Sequence, residues 1–152
     1  VLANVETDEQ AKILLNQSIE LYRDVLTFFT RKYFADRWAD MSNNLAYTLV
    51  ELGRIHKPSS AINIYNEAID LAKDALTVHT LQDFPIEYAN AQDTLGQAYY
   101  FKGLLVVGEA QKNMLEKAKL AFSVSIDTAE HAPQELVELN KWLKDIENKL
   151  KL

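Results

Sequence analysis

Residues 11–53 are repeated at residues 61–103, at a constant offset of 50 positions. Twelve of these 43 positions are identical: Ala11/Ala61, Asn16/Asn66, Ile19/Ile69, Leu21/Leu71, Asp24/Asp74, Leu26/Leu76, Thr27/Thr77, Thr30/Thr80, Phe34/Phe84, Ala39/Ala89, Leu45/Leu95 and Gly53/Gly103. Average residue usage would give about 3 by chance. Other pairs keep their chemistry, such as Glu20/Asp70, Arg23/Lys73 and Trp38/Tyr88. A third copy is partial: Ala118, Phe122, Ser125, Ile126 and Ala129 match Ala61, Tyr65, Ala68, Ile69 and Ala72. A unit of two helices cannot bury its own apolar face, so a repeat of this kind must stack on its neighbours.

The unit is helical. Ala61, Ile64, Tyr65, Ala68, Ile69, Ala72, Ala75 and Leu76 recur in steps of three and one, a single apolar stripe on a 3.6-residue helix. Thr7 followed by Gln10 reads as a capping box. Gly53 and Gly103 read as C-terminal stops, and Pro58, Pro85 and Pro133 as helix starts. Asp83-Phe84-Pro85 reads as the start of a helix and not as a catalytic acid. Six helices are predicted, at about 7–31, 34–53, 59–81, 84–106, 111–130 and 133–151. The short connections predict antiparallel neighbours. The chain is read as one domain, 1–152, with repeats at about 34–81 and 84–130, the N-terminal helix 7–31 and a capping helix 133–151. In that cap Leu136, Val137, Leu139, Trp142, Leu143, Ile146 and Leu150 should face inward.

The pattern resembles the tetratricopeptide repeat family, whose signature is W-x2-L-G-x2-Y in the first helix and A-x3-F in the second. Here Gln92-x2-Leu95-Gly96-x2-Tyr99 is followed by Ala118-x3-Phe122-x2-Ser125. Likewise Ser42-x2-Leu45-Ala46-x2-Leu49 is followed by Ala61-x3-Tyr65-x2-Ala68. The resemblance covers about residues 11–130 and implies an all-α, antiparallel helix-turn-helix superhelix. The chain departs from the family in its period, 50 here against about 34, and in Ser42 and Gln92 where the opening aromatic should stand. It also carries extra residues, Leu104 to Gln111, between the helices of the second pair, and so resembles a long-helix variant. Small residues at 46 and 96 should let paired helices approach closely. Since the first copy already has Ala46, Gly96→Ala is expected to be neutral or mildly stabilising.

Chemistry is sparse. There is no cysteine, so thiol catalysis, disulfides and Cys-based metal sites are excluded. None of His56, His79 and His131 has a partner at metal-ligand spacing in the sequence, and all three read as solvent-facing. No phosphate-binding glycine loop or nucleophile elbow occurs. Glu67, Asp70 and Asp74 beside Lys73 read as a solvated face with local ion pairs. No catalytic residue, cofactor or metal is assigned, and the chain is not expected to be an enzyme. The net charge of −6 disfavours nucleic-acid binding. No run of apolar residues suits membrane insertion. A cytoplasmic location is expected, the cysteine-free composition being compatible with it.

Binding remains. In proteins of the resembled family the first helix of each pair lines an inner groove, which implies Asn43, Tyr47 and Val50 in one copy and Asp93, Gln97 and Tyr100 in the other. Aromatics beside amides suit an extended peptide or a partner helix, and Asp93 with the overall charge favours a basic one. The expected function is a protein–protein interaction module. The alternative is a regulatory or ligand-sensing domain of a larger protein, which would need an enclosed apolar cavity. Leu104-Leu105-Val106-Val107 either extends its helix, buried all round, or forms an exposed interface patch. Helix 7–31 matches the second helix of a repeat and has no first helix before it. Leu14, Leu21, Val25 and Phe28 or Phe29 should therefore form an uncovered stripe, closed by a homodimer or by continuation of the array.

Overall fold

The computed structural model describes residues 2–128, 130 and 133–151, with side chains from residue 7 onward and excluding that of residue 133. The matches and readings placed on Ala129 and His131 lie outside the described residues. The chain is all-α: α1 (Leu2–Phe28), α2 (Ala35–Ile55), α3 (Pro58–Leu76), α4 (Pro85–Gly103), α5 (Gly108–Thr128) and α6 (Pro133–Leu150). Each helix touches the next, and α2 also touches α4, the pattern of a stacked array. The prolines open α3, α4 and α6 as their missing N–H allows.

The repeat is visible in the turns. Residues 29–34 and 79–84 take the same sequence of backbone states. Phe34 precedes α2 at φ −140° and ψ 53°, and Phe84 precedes α4 at φ −139° and ψ 63°. In both copies the Phe amide donates to the carbonyl of the conserved-in-register threonine, Thr30 or Thr80, at 2.9 Å. Thr27 and Thr77 both donate to the carbonyl three residues back, at Asp24 and Asp74. In the second copy the turn is closed further by Thr80 and Asp83, whose hydroxyl, carboxylate and amide exchange two bonds. Identical residues at a fixed offset thus specify one connector twice.

Several boundaries differ from the expected ones. α1 begins at Leu2, so Thr7 stands inside the helix and not at its start. α3 ends at Leu76 and not at 81, because the Thr77 and Thr80 turn follows at once. α4 ends at Gly103, so Leu104–Val107 forms a turn and loop and not a helical extension. Leu104 and Val107 are exposed there. The residues 104–111 are not an insertion either. α5 starts at Gly108, just 50 after Pro58, and Gly108 alone among the glycines has a positive φ, 64°. The third copy therefore keeps the offset of 50 and not the shift that set Phe122 on Tyr65.

Glycines confirm that register. A Cβ on Gly53 would lie 2.5 Å from the Tyr65 ring, and one on Gly103 would lie 3.0 Å from Leu115. Positions 53 and 103, and 65 and 115, are each 50 apart. These glycines serve close helix approach and are not left-handed stops; Gly53 lies two residues inside α2. Further along the same α4–α5 crossing Gly96 faces Phe122, with a Cβ only 2.6 Å from the ring. Phe122 is fully buried and stacks on Trp142 at 5.5 Å, so its ring has nowhere to go.

One edge of the array is open. In α3 Ala61, Tyr65, Ala68, Ile69, Ala72 and Ala75 are all buried. Of their counterparts in α1, Ala11, Leu15, Ser18, Ile19, Tyr22 and Val25, only Ile19 is. Leu14, Leu21 and Phe28 are exposed, at 54%, 66% and 76%, while Val25 and Phe29 are half-buried. The face that is buried on α3 is thus only half-buried on α1, with Leu14, Leu21 and Phe28 exposed beside it.

The Gly96 crossing reverses the expectation for alanine there. Overpacking a full core costs about 1–3 kcal/mol, and alanine's helix propensity returns about 1 kcal/mol at most. Gly96→Ala should lower stability in urea denaturation, by up to about 2 kcal/mol. Adding Phe122→Leu should cost less than the sum of the two single changes. A Gly96→Ala protein as stable as the parent would contradict the crossing.

Candidate functional site

The site is built by α6 against the face that α2 and α4 share. α6 is an amphipathic helix: Leu139 and Ile146 are buried, with Trp142, Leu143 and Leu150 against the core. Val137, expected inward, is exposed at 67% because its neighbours Leu136 and Leu139 take the inner face. Trp142 anchors the helix. Its ring lies 5.9 Å from Tyr100, 5.7 Å from Phe101 and 5.5 Å from Phe122. The Tyr100 hydroxyl donates to Asp145 at 2.9 Å, and Lys119 pairs with Glu147 at 3.1 Å. Aromatic contact at Trp142 and, one turn on, a hydrogen bond to a charged acceptor at Asp145 thus fix the middle of α6.

Beside this anchor a cleft of about 390 Å³ remains. Tyr47, Glu51 and Arg54 of α2 and Asp93 and Gln97 of α4 form one side. Gln134, Glu135, Glu138, Leu139 and Trp142 of α6 form the other. Four carboxylates therefore meet one guanidinium. Arg54 is itself engaged, bonded to Glu51 at 2.9 Å and laid over the Phe101 ring at 4.8 Å. The Gln97 side-chain amide donates to Asp93 at 3.2 Å. The cleft carries net negative charge over an aromatic and leucine floor.

Of the six residues expected to line a groove, three do so: Tyr47, Asp93 and Gln97. Tyr47 is 47% exposed and Gln97 is buried at the base. Val50 is fully buried in the core, one turn round α2 from Tyr47. Tyr100 is buried beneath α6 and holds it through Asp145. Asn43 is half-buried and lies outside the lining. Glu51, Arg54 and all the α6 residues were missed. A repeat-based reading sees only positions within the unit, and α6 is not a copy of one. The acidic positions 135 and 138, seven and four before Trp142, were the available signal.

Two other readings change. His79 is not solvent-facing: its side chain is 1% exposed and its Nε2 lies 3.0 Å from the Asp36 carboxylate. A search by spacing along the chain cannot see a partner 43 residues away. Glu67 bonds Arg23 of α1 at 2.7 Å and not a neighbour on its own helix. Lys73 lies over the Tyr99 ring.

Comparison with known proteins adds no relative: no family model, no curated protein and no solved structure matches the chain. Among the described residues, no helix is long and apolar enough to cross a membrane.

Burial pushes the Tyr65 phenol up to about 12. Burial, and then the bond to Asp145, push Tyr100 further in the same direction. A phenol whose folded pKa is raised stabilises the fold while protonated. That contribution is complete below the ordinary value of about 10 and is lost as pH climbs through the raised value. Tyrosinate absorbance should show Tyr65 and Tyr100 ionising later than an ordinary phenol. Tyr100→Phe should speed amide exchange across 134–150 and spare α2 to α4. Ionisation of all seven tyrosines together near pH 10, with the helices intact, would contradict the burial.

Proposed function

We propose that this chain is a protein–protein interaction module of the tetratricopeptide kind, without catalysis of its own. Its cleft between α2, α4 and α6 takes a basic peptide or a basic partner helix. The observation that carries this reading is the charge of the cleft, where Glu51, Asp93, Glu135 and Glu138 surround Tyr47 and Trp142 with Arg54 already engaged. A lysine or arginine chain entering there would meet carboxylates for its head and rings for its stem. A ligand sensor would call for an enclosed apolar cavity, and this cleft is walled by exposed charged residues.

Peptide arrays graded in charge test the reading, followed by anisotropy titration of the best binder. Basic peptides should bind, and binding should weaken with salt, since charges beyond about 8 Å are screened at physiological ionic strength. Tyr47→Ala and Glu138→Gln, both on exposed side chains, should each weaken binding about tenfold, or about 1.4 kcal/mol. Equal binding of acidic and basic peptides, or unchanged affinity in both variants, would overturn it.

The uncovered stripe of α1 is a second contact surface in this reading, and a second copy of the chain is its proposed occupant. Leu14, Leu21 and Phe28 recur every seven residues, which suits an isologous helix pair. Light scattering at micromolar concentration should give a dimer, and Leu21→Glu a monomer. A parent chain that is monomeric throughout would remove the second copy from the account.

A further inference from the structure

Another buried polar feature lies at the opposite end of α2 from the cleft. Asp36 and Asp40 stand one turn apart on α2, and the turn between α3 and α4 brings His79 onto them. His79 Nε2 is 3.0 Å from Asp36 Oδ1 and 3.8 Å from Asp40 Oδ1. One donor atom from each residue lies within 4.8 Å of the others. The other oxygen of Asp40 is turned to Arg37 at 4.0 Å, which leaves Oδ1 toward the imidazole. Asp36 is half exposed, so the cluster opens to water on that side.

The repeat supplies its own comparison. Position 79 corresponds to Phe29 of the preceding turn. Phe29 meets Phe34 edge-on at 5.5 Å, and His79 meets Phe84 at 5.1 Å. The turn therefore needs only an aromatic ring at this place, and phenylalanine meets that need. At the positions of α4 that correspond to Asp36 and Asp40, the chain has Ile86 and Asn90. Imidazole and both carboxylates are thus departures from the repeat, and the fold brings all three together.

We propose that Asp36, Asp40 and His79 form a divalent metal site with water completing the shell. One imidazole and two carboxylates suit zinc, which accepts nitrogen at about 2.0–2.1 Å and oxygen at about 2.0–2.2 Å. Two donors 3.0 Å apart can both sit at such distances from one ion. Calcium and magnesium prefer all-oxygen shells and are rejected by the imidazole. The ion would tie the start of α2 to the α3–α4 turn.

Titration calorimetry of chelator-stripped protein tests this with zinc, calcium and magnesium as separate probes. One zinc per chain should bind, with no saturable binding of calcium or magnesium. His79→Phe restores the ring that the other turn uses, so it should fold, as circular dichroism will show, and should bind no zinc. Asp40→Asn should weaken zinc binding at least tenfold. Zinc should raise the melting temperature of the parent and not of His79→Phe. Three results would each overturn the site. They are no saturable zinc binding to the parent, equal binding in His79→Phe, or binding lost only in His56→Gln or His131→Gln.

Discussion

Backbone meeting side chain at the helix crossings sets the spacing on which everything else depends. Gly53 meets Tyr65, Gly96 meets Phe122 and Gly103 meets Leu115, each at a distance that leaves no room for a Cβ or scarcely any. Where helices approach this closely, large residues on the partner can fill the gap between repeats at crystal-like density. Phe122 does so, and in doing so it presents its ring to Trp142. A larger residue at 96 would move Phe122, and through it the seat of α6.

The cleft is a consequence of that seat. α2 and α4 are held side by side by α3, so Tyr47, Glu51, Asp93 and Gln97 share a surface. α6 covers part of this surface through Trp142 and the Tyr100–Asp145 bond, and leaves its acidic edge, Glu135 and Glu138, beside the remainder. The negative charge arises from three helices. Each alone shows only ordinary surface carboxylates, and their convergence turns scattered charge into a field that could steer a basic partner.

The sequence made the helices plain because the 3.6-residue stripe, the prolines and the repeat agreed with one another. It misplaced the ends of α3 and α4, where apolar residues continued past the helix. The Thr77 hydroxyl donates to a backbone carbonyl and the Thr80 hydroxyl accepts from a backbone amide, a local effect that periodicity does not register. Gly103 does end α4, while Gly53 looked like a stop and lies inside α2, since glycine at a helix end and glycine at a crossing are the same letter. Val50 and Tyr47 lie three residues apart, and one is buried while the other is exposed. Choosing between them requires knowing where α3 and α6 lie. His79 read as solvent-facing because its partners are distant in the chain, though its replacement of Phe29 in the repeat marked it as unusual.

One offset of 50 sets both the α2–α3 and the α4–α5 crossings, so that it extends to the third copy. Nuclear Overhauser contacts from the glycine α-protons measure this directly. Gly53 should contact the Tyr65 ring, Gly96 the Phe122 ring and Gly103 the Leu115 methyls. Contact from Gly103 to the Phe122 ring, with none to Leu115, would place α5 two turns out of register and contradict the account.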